Sequence, residues 1–245
     1  MLLSGGGGDT EAMFPYITHF SEQFRVIAPN YPTSYKTLSD IISGLRALLS
    51  QEGIEHCVVV GFSFGGMLAQ LYIRRFQDMV TDLVVSHSMI PSRHLSEAMS
   101  MQYQLIRLYP EALLLWMSKR AFHNQIANTT CPITDDACTF WQTYIDESYS
   151  QRMSKRDLVL RARLTAEYHA GDEFNSRDLL HWHGDLLLIE SENDDVINDG
   201  DRGSFKAMYS RAYVQTLANH DHLAPLLVAD QISQSVLNFL HKDED

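Results

Sequence analysis

A serine can act as a nucleophile where the chain bends sharply enough to push its hydroxyl outward. Gly61-Phe62-Ser63-Phe64-Gly65-Gly66 offers that arrangement. Before it, Cys57-Val58-Val59-Val60 is short, apolar and β-branched and reads as a buried strand. After it, Met67 to Phe76 carries apolar residues at helical spacing. So tight a strand-to-helix turn needs small residues, and Gly61 and Gly65 supply them while tolerating unusual backbone angles. Ser63 then falls at the tip in a strained geometry. This is the G-x-S-x-G nucleophile-elbow pattern in its required strand–turn–helix context. The plainer alternative is a glycine-rich turn whose serine caps the helix. A second stretch that could do chemistry is Ser4-Gly5-Gly6-Gly7-Gly8, directly after the apolar Met1-Leu2-Leu3. A glycine run after a strand exposes backbone N–H groups that can hold an anion or a developing oxyanion. Its plainer alternative is a flexible loop.

The elements needed to position these groups are an α/β set. Arg25-Val26-Ile27-Ala28 reads as a short strand stopped by Pro29 and Pro32. Residues 39–51 read as a helix with Leu38, Ile41, Ile42, Leu45, Leu48 and Leu49 on one face, ended by Gly53. After the elbow and its helix, residues 82–88 form the next strand. Strand alternating with helix predicts a parallel sheet with right-handed crossovers. The alternation stops at Ser88. From Met89 to about His183 the pattern is helical, with helices expected over 99–122, 140–149 and 158–168. Strands resume at 185–190 and 213–217, and a final amphipathic helix runs over 232–240. The organisation expected is a core of residues 1–88 and 184–245, interrupted by a helical lid or cap over 89–183.

Bulk properties narrow the partners. The 245 residues suit one α/β domain with an inserted subdomain, and 45% hydrophobic content suits a full core. A formal net charge of −12 argues against a nucleic-acid partner. No stretch is apolar and long enough to span a bilayer, and no export signal is visible, so a cytoplasmic location is expected. Reduced thiols are then the default for Cys57, Cys131 and Cys138, although the last two could pair. His181-Trp182-His183 has no third ligand spaced to complete a metal site and reads as a linker. No metal or other cofactor is called for, and the oligomeric state is open.

The elbow, the helical insertion and the closing strand–loop–histidine–helix resemble the α/β-hydrolase fold superfamily, serine hydrolase type. The resemblance implies a mostly parallel sheet flanked by helices. It also implies two antiparallel strands ahead of the one ending at Leu3, and this sequence does not contain them. The superfamily's order is serine, acid, histidine. Asn193-Asp194-Asp195-Val196-Ile197 is similar to its acid segment and puts that role on Asp194, with Asp195 the neighbour most easily confused with it. For the base, His222 is favoured by its distance from Asp194 and from the final helix. His220 is the alternative, because Asn219-His220 keeps a turn-forming residue before the imidazole. Asp221 stands where the family usually has glycine. The serine-led glycine run resembles the family's oxyanion loop, implying backbone N–H donors at Phe64 and Gly6, with Gly7 as a further candidate.

The resemblance implies a hydrolase. Ser63 would attack the carbonyl of a small carboxylic ester, thioester or lactone, and water would release the acyl group. Relatives of this type also cleave a carbon–carbon bond next to a ketone. A weaker likeness to maspardin-like members implies the other reading, a binding or adaptor protein with little or no catalysis.

Overall fold

The computed structural model describes residues 1–6 and 10–242, apart from the side chain of Ser176. Strand β1 is Leu2–Leu3, followed by a helical turn at Thr10–Met13 and helix α1 at Phe14–Ser21. Helix α2, Leu38–Gln51, starts on a reciprocal cap: Thr37 Oγ1 accepts from the Asp40 amide at 3.1 Å and Asp40 accepts from the Thr37 amide at 2.9 Å. Gly53, at φ 68°, closes its far end. Then come β2 (Cys57–Phe62), α3 (Phe64–Arg75) and β3 (Val80–Ser86). Helices α4 (Arg93–Leu108), α5 (Glu111–Ala127), α6 (Asp135–Gln151) and α7 (Lys155–Ala170) fill the space before β4 (Leu186–Ser191). The chain ends with α8 (Asp199–Met208), β5 (Tyr213–Leu217), the single turn α9 (Ala224–Leu227) and α10 (Ala229–Leu240).

The five strands form one sheet in the order β1-β2-β3-β4-β5, every pair parallel. A parallel sheet is covered on both faces, and its strands show it. Val60, Phe62, Val84, Leu187 and Ile189 pack into one core with Tyr16 and Phe20 of α1 and Ile232, Val236 and Phe239 of α10. Their neighbours Val59, Leu83, Val85, Leu186 and Leu188 pack into a second core with Ile41, Leu45 and Leu49 of α2 and Leu68 and Tyr72 of α3. The side-chain period of two sorts one strand into two cores.

Two expected elements differ. Arg25–Ala28 lies outside the sheet: Leu2 donates its amide to Ile27 O at 2.8 Å, but no ladder is built. Its neighbour β1 is only two residues long, and Pro29 has no N–H to extend the pairing. The single helix expected over 99–122 is two, because Pro110 cannot continue α4. Tyr109 before it takes the extended conformation a residue preceding proline prefers, at φ −70° and ψ 141°. No helix among the described residues is long and apolar enough to cross a membrane.

Candidate active site

The carboxyl ends of β2, β3, β4 and β5 meet along one edge, and the residues with chemistry lie just past them. Among the described residues, three other than glycine have positive φ: Ser63 at 49°, His87 at 50° and Asn219 at 59°. They follow β2, β3 and β5, so the backbone strain is concentrated along this edge.

The glycines around Ser63 are required by contact. A Cβ on Gly61 would stand 2.4 Å from Gly65 O, and one on Gly65 would stand 2.0 Å from Leu3 O. One on Gly66 would meet the Ser88 side chain at 2.6 Å. Strand β1, the elbow and the start of α3 can approach this closely only without side chains. The Ser63 amide is spent on Ser86 O at 2.9 Å, so the first amides of the turn without an acceptor among the described residues belong to α3 itself, beginning at Phe64. The positive end of the helix dipole lies there too.

Ser63 Oγ lies 3.1 Å from His222 Nε2. His222 Nδ1 lies 2.9 Å from Asp194 Oδ2 and 3.1 Å from Oδ1. The Asp194 side chain is only 1% exposed. Its Oδ1 accepts from the amides of Val196 at 2.9 Å and Ile197 at 2.8 Å. The apolar pair after Asp194 thus contributes its backbone amides, while only the Ile197 side chain is buried. Burial pushes the Asp194 carboxyl up. The hydrogen bond and charge of His222, with the Ile197 amide, outweigh burial and hold it below the usual carboxylate range.

The loops that carry Asp194 and His222 are laced together. Glu192 donates its amide to Leu217 O at 3.0 Å, Asn193 to His220 O at 2.9 Å, and Asn219 to Glu192 Oε2 at 3.1 Å. Asn219 takes the left-handed turn that asparagine tolerates. The two histidines after it have different surroundings. His220 is 6% exposed, its Nδ1 is 2.6 Å from Ala218 O, and its Nε2 has no hydrogen-bond partner among the described residues. His222, the favoured residue, is the imidazole beside Ser63. Asp195 takes no part in this chain of contacts.

On the glycine side, the Cβ positions of Gly5 and Gly6 come within 3.5 Å of the Ser63 and Phe64 side chains respectively. Ser4 is buried, and its carbonyl accepts from Tyr31 Oη at 3.3 Å. Gly7, the further candidate donor, lies outside the described residues.

Three further residues beside these loops have no counterpart in the sequence motifs. Asp221 bridges to the helical segment: Oδ2 accepts from Thr129 Oγ1 at 2.6 Å and the Thr130 amide at 2.8 Å, and Oδ1 accepts from the Leu223 amide at 2.9 Å. Arg161 of α7 donates to the carbonyls of Gly5 and Gly6. His87 is buried between two hydroxyls, with Nδ1 2.8 Å from Ser86 Oγ and Nε2 2.6 Å from Ser191 Oγ. Its ring meets that of His222 edge to face, centroids 6.0 Å apart. The one sequence signal for it is Ser86-His87-Ser88, an imidazole flanked by hydroxyls at a strand end. Burial first, then the neighbouring His222, push His87 down to about 3. A neutral imidazole here adds no second positive charge beside His222 when that ring is protonated.

The low His87 value has a measurable consequence. The unfolded chain protonates this histidine near 6.5, whereas the folded chain refuses the proton until about 3. Stability therefore falls as pH drops below 6.5, at up to roughly 1.4 kcal/mol per pH unit for one proton. His169, also lowered by burial, adds to the same slope. Asp194 and Asp221, both held below 3.8, act only at lower pH. Urea unfolding of wild type and His87→Asn between pH 4 and 7 should give a shallower dependence in the variant; equal slopes would contradict the buried neutral state.

No cluster of three or more histidine, cysteine or acidic side chains among the described residues could hold a metal ion. Cys57, Cys131 and Cys138 are free thiols, and Cys131 Sγ contacts Asp221 Oδ1 at 3.5 Å.

Residues 1–234 match the alpha/beta hydrolase family. The chain belongs to that family. A curated relative, epoxide hydrolase 3 of Xenopus tropicalis, is 34% identical over 97 residues, a match taking in 36% of this chain and 26% of that protein. Among solved structures, a thermophilic esterase from Thermogutta terrifontis superposes with a TM-score of 0.74 at 15% identity, covering 98% of this chain and 88% of that one. The enol-lactonase from Burkholderia xenovorans LB400 gives 0.73 at 15% identity, covering 98% and 89%. At such identity these two likenesses establish the shared fold.

Proposed function

We propose that this family member is a serine hydrolase of small carboxylic esters, thioesters or lactones. Ser63 Oγ bonds to the acyl carbon while its proton passes to His222 Nε2. The tetrahedral oxyanion is held by the Phe64 and Gly6 amides, each such donor contributing roughly 3–4 kcal/mol. As the carbonyl reforms, the alkoxide or thiolate leaves and takes the proton from His222. Water then attacks the acyl-serine with His222 again as base, releasing the carboxylic acid and restoring Ser63. Asp194 holds the imidazole with its proton on Nδ1 and stabilises the imidazolium. The helices of residues 89–183 act as the cap that shapes the acyl site.

The observation that carries this reading is the unbroken relay from Ser63 to His222 to Asp194 at a strained elbow. The esterase and enol-lactonase of like fold agree with acyl transfer as the reaction class. The test is a graded panel of p-nitrophenyl esters together with a fluorophosphonate label. Turnover above buffer and an adduct mapped to Ser63 are expected. Folded protein that neither turns over any ester nor takes the label would leave the binding or adaptor reading instead.

A further inference from the structure

The glycine loop that would supply one oxyanion donor has no side chains of its own to hold it. Glycine loses more conformational freedom on ordering than any other residue, so a functional glycine loop needs an external tie. Arg161 provides one. Its guanidinium donates from one nitrogen to Gly5 O at 3.1 Å and also to Gly6 O. Arg161 is half-buried and lies 156 residues away from Gly5 in sequence.

The arginine sits on a rigid base. Helix α7 buries Leu164, Ala166, Tyr168 and His169. Glu167 Oε1 accepts from the Leu38 amide at 3.0 Å, Tyr168 Oη donates to Met89 O at 2.9 Å, and His169 Nδ1 accepts from the Ser92 amide at 3.2 Å. These bonds fasten α7 to the start of α2 and to the exit from β3.

The geometry of the peptide bond does the rest. Gly5 C=O and Gly6 N–H belong to one planar trans unit and point in opposite directions. Fixing the carbonyl on Arg161 therefore fixes the direction of the Gly6 N–H, away from the guanidinium. A cation on the carbonyl also polarises the unit and strengthens its N–H as a donor.

We propose that Arg161 is a positioning residue for the oxyanion hole: by holding the Gly5 and Gly6 carbonyls it aims the Gly6 N–H and makes the cap helix part of the transition-state machinery. This rests on the serine hydrolase reading above. Arg161 touches no reacting atom in this role and acts through the glycine backbone.

The test compares wild type, Arg161→Gln, Arg161→Lys and Ser63→Ala on one p-nitrophenyl ester. Arg161→Gln is expected to lower kcat roughly 10–100-fold, less than complete loss of a donor, with KM changing less than about threefold. Arg161→Lys, which keeps the charge, should recover part of the loss. Affinity for a boronic acid that forms a tetrahedral adduct on Ser63 should fall in parallel with kcat. Amide hydrogen exchange in the peptide covering Ser4–Gly6 should speed up in Arg161→Gln. Should that variant unfold, Arg161→Lys carries the same comparisons at smaller amplitude. Wild-type kcat and boronate affinity in a folded Arg161 variant would overturn the inference alone, as would faster exchange with unchanged kcat. Ser63→Ala as active as wild type would overturn the hydrolase reading and this inference with it.

Discussion

On the serine hydrolase reading proposed above, Ser63→Ala is expected to lower kcat for ester hydrolysis by about 10⁶ and Asp194→Asn by about 10⁴, with the double variant no slower than Ser63→Ala alone. The smaller number comes from how Asp194 is held. Its Oδ1 is occupied by the Val196 and Ile197 amides, so an asparagine keeps its carbonyl there and turns its NH₂ toward His222 Nδ1. An NH₂ facing Nδ1 requires an unprotonated Nδ1, which moves the imidazole proton to Nε2. The nitrogen 3.1 Å from Ser63 Oγ then donates instead of accepting, and the base is lost while the shape is kept. KM should move little because Asp194 acts through His222 and, on that reading, does not touch the substrate. Nitrogen NMR of the imidazole should report the tautomer change directly. Non-additivity is the sharper check: once the nucleophile is gone the acid has nothing left to assist. A double variant slower by the product of the two single losses would mean the residues act separately. An Asp194→Asn enzyme within tenfold of wild type would remove the acid from the mechanism.

The fold is legible in the sequence where local pattern and tertiary packing agree. The β-branched run before Ser63 and the apolar spacing after it give β2 and α3, because their residues are buried for the same reason the pattern exists. The elbow glycines are legible because close backbone approach leaves no other choice of residue. Arg25–Ala28 has the composition of a strand but not its pairing, since a strand depends on its partner and β1 offers only two residues to pair with. The α4–α5 break has a local signal in Pro110, masked by an apolar periodicity that continues across it. At the site, chain order and spacing single out Ser63, Asp194 and His222, which the structure brings into one chain of hydrogen-bond contacts. What separates His222 from His220 is where each ring lies: His222 reaches Ser63 and Asp194, while His220 is buried with its Nδ1 on Ala218 O, a tertiary placement that spacing only hints at. The long-range contacts of Asp221, Arg161 and His87 are out of reach for one shared reason. Their partners lie 92, 156 and 104 residues away, at Thr129, Gly5 and Ser191, and no local pattern encodes such a pair.

Glycine substitutions put the packing account to its hardest test, because the same chemical change should act in opposite directions at two places. Gly65→Ala is expected to destabilise the protein by about 3 kcal/mol or more, the upper range for overpacking, and to lower Tm by roughly 10 °C. The added methyl would lie 2.0 Å from Leu3 O, 2.5 Å from Leu3 C and 2.7 Å from Ser4 O. These are backbone atoms with no rotamer to yield, so either β1 moves off the elbow or the elbow opens. Either movement also displaces Gly5 and Gly6, so on the serine hydrolase reading the residual folded protein should lose kcat as well as stability. Gly203→Ala is the counterpart. Gly203 is exposed inside α8, and its added Cβ would meet nothing within 4 Å. There the methyl only restricts the unfolded chain and favours the helix, a gain of roughly 0.5–1 kcal/mol. Thermal and urea unfolding of the two variants side by side decide the matter. If Gly65→Ala is stabilised as Gly203→Ala is, helix propensity and not the approach of β1 governs the elbow, and Gly65 is there for some reason other than space.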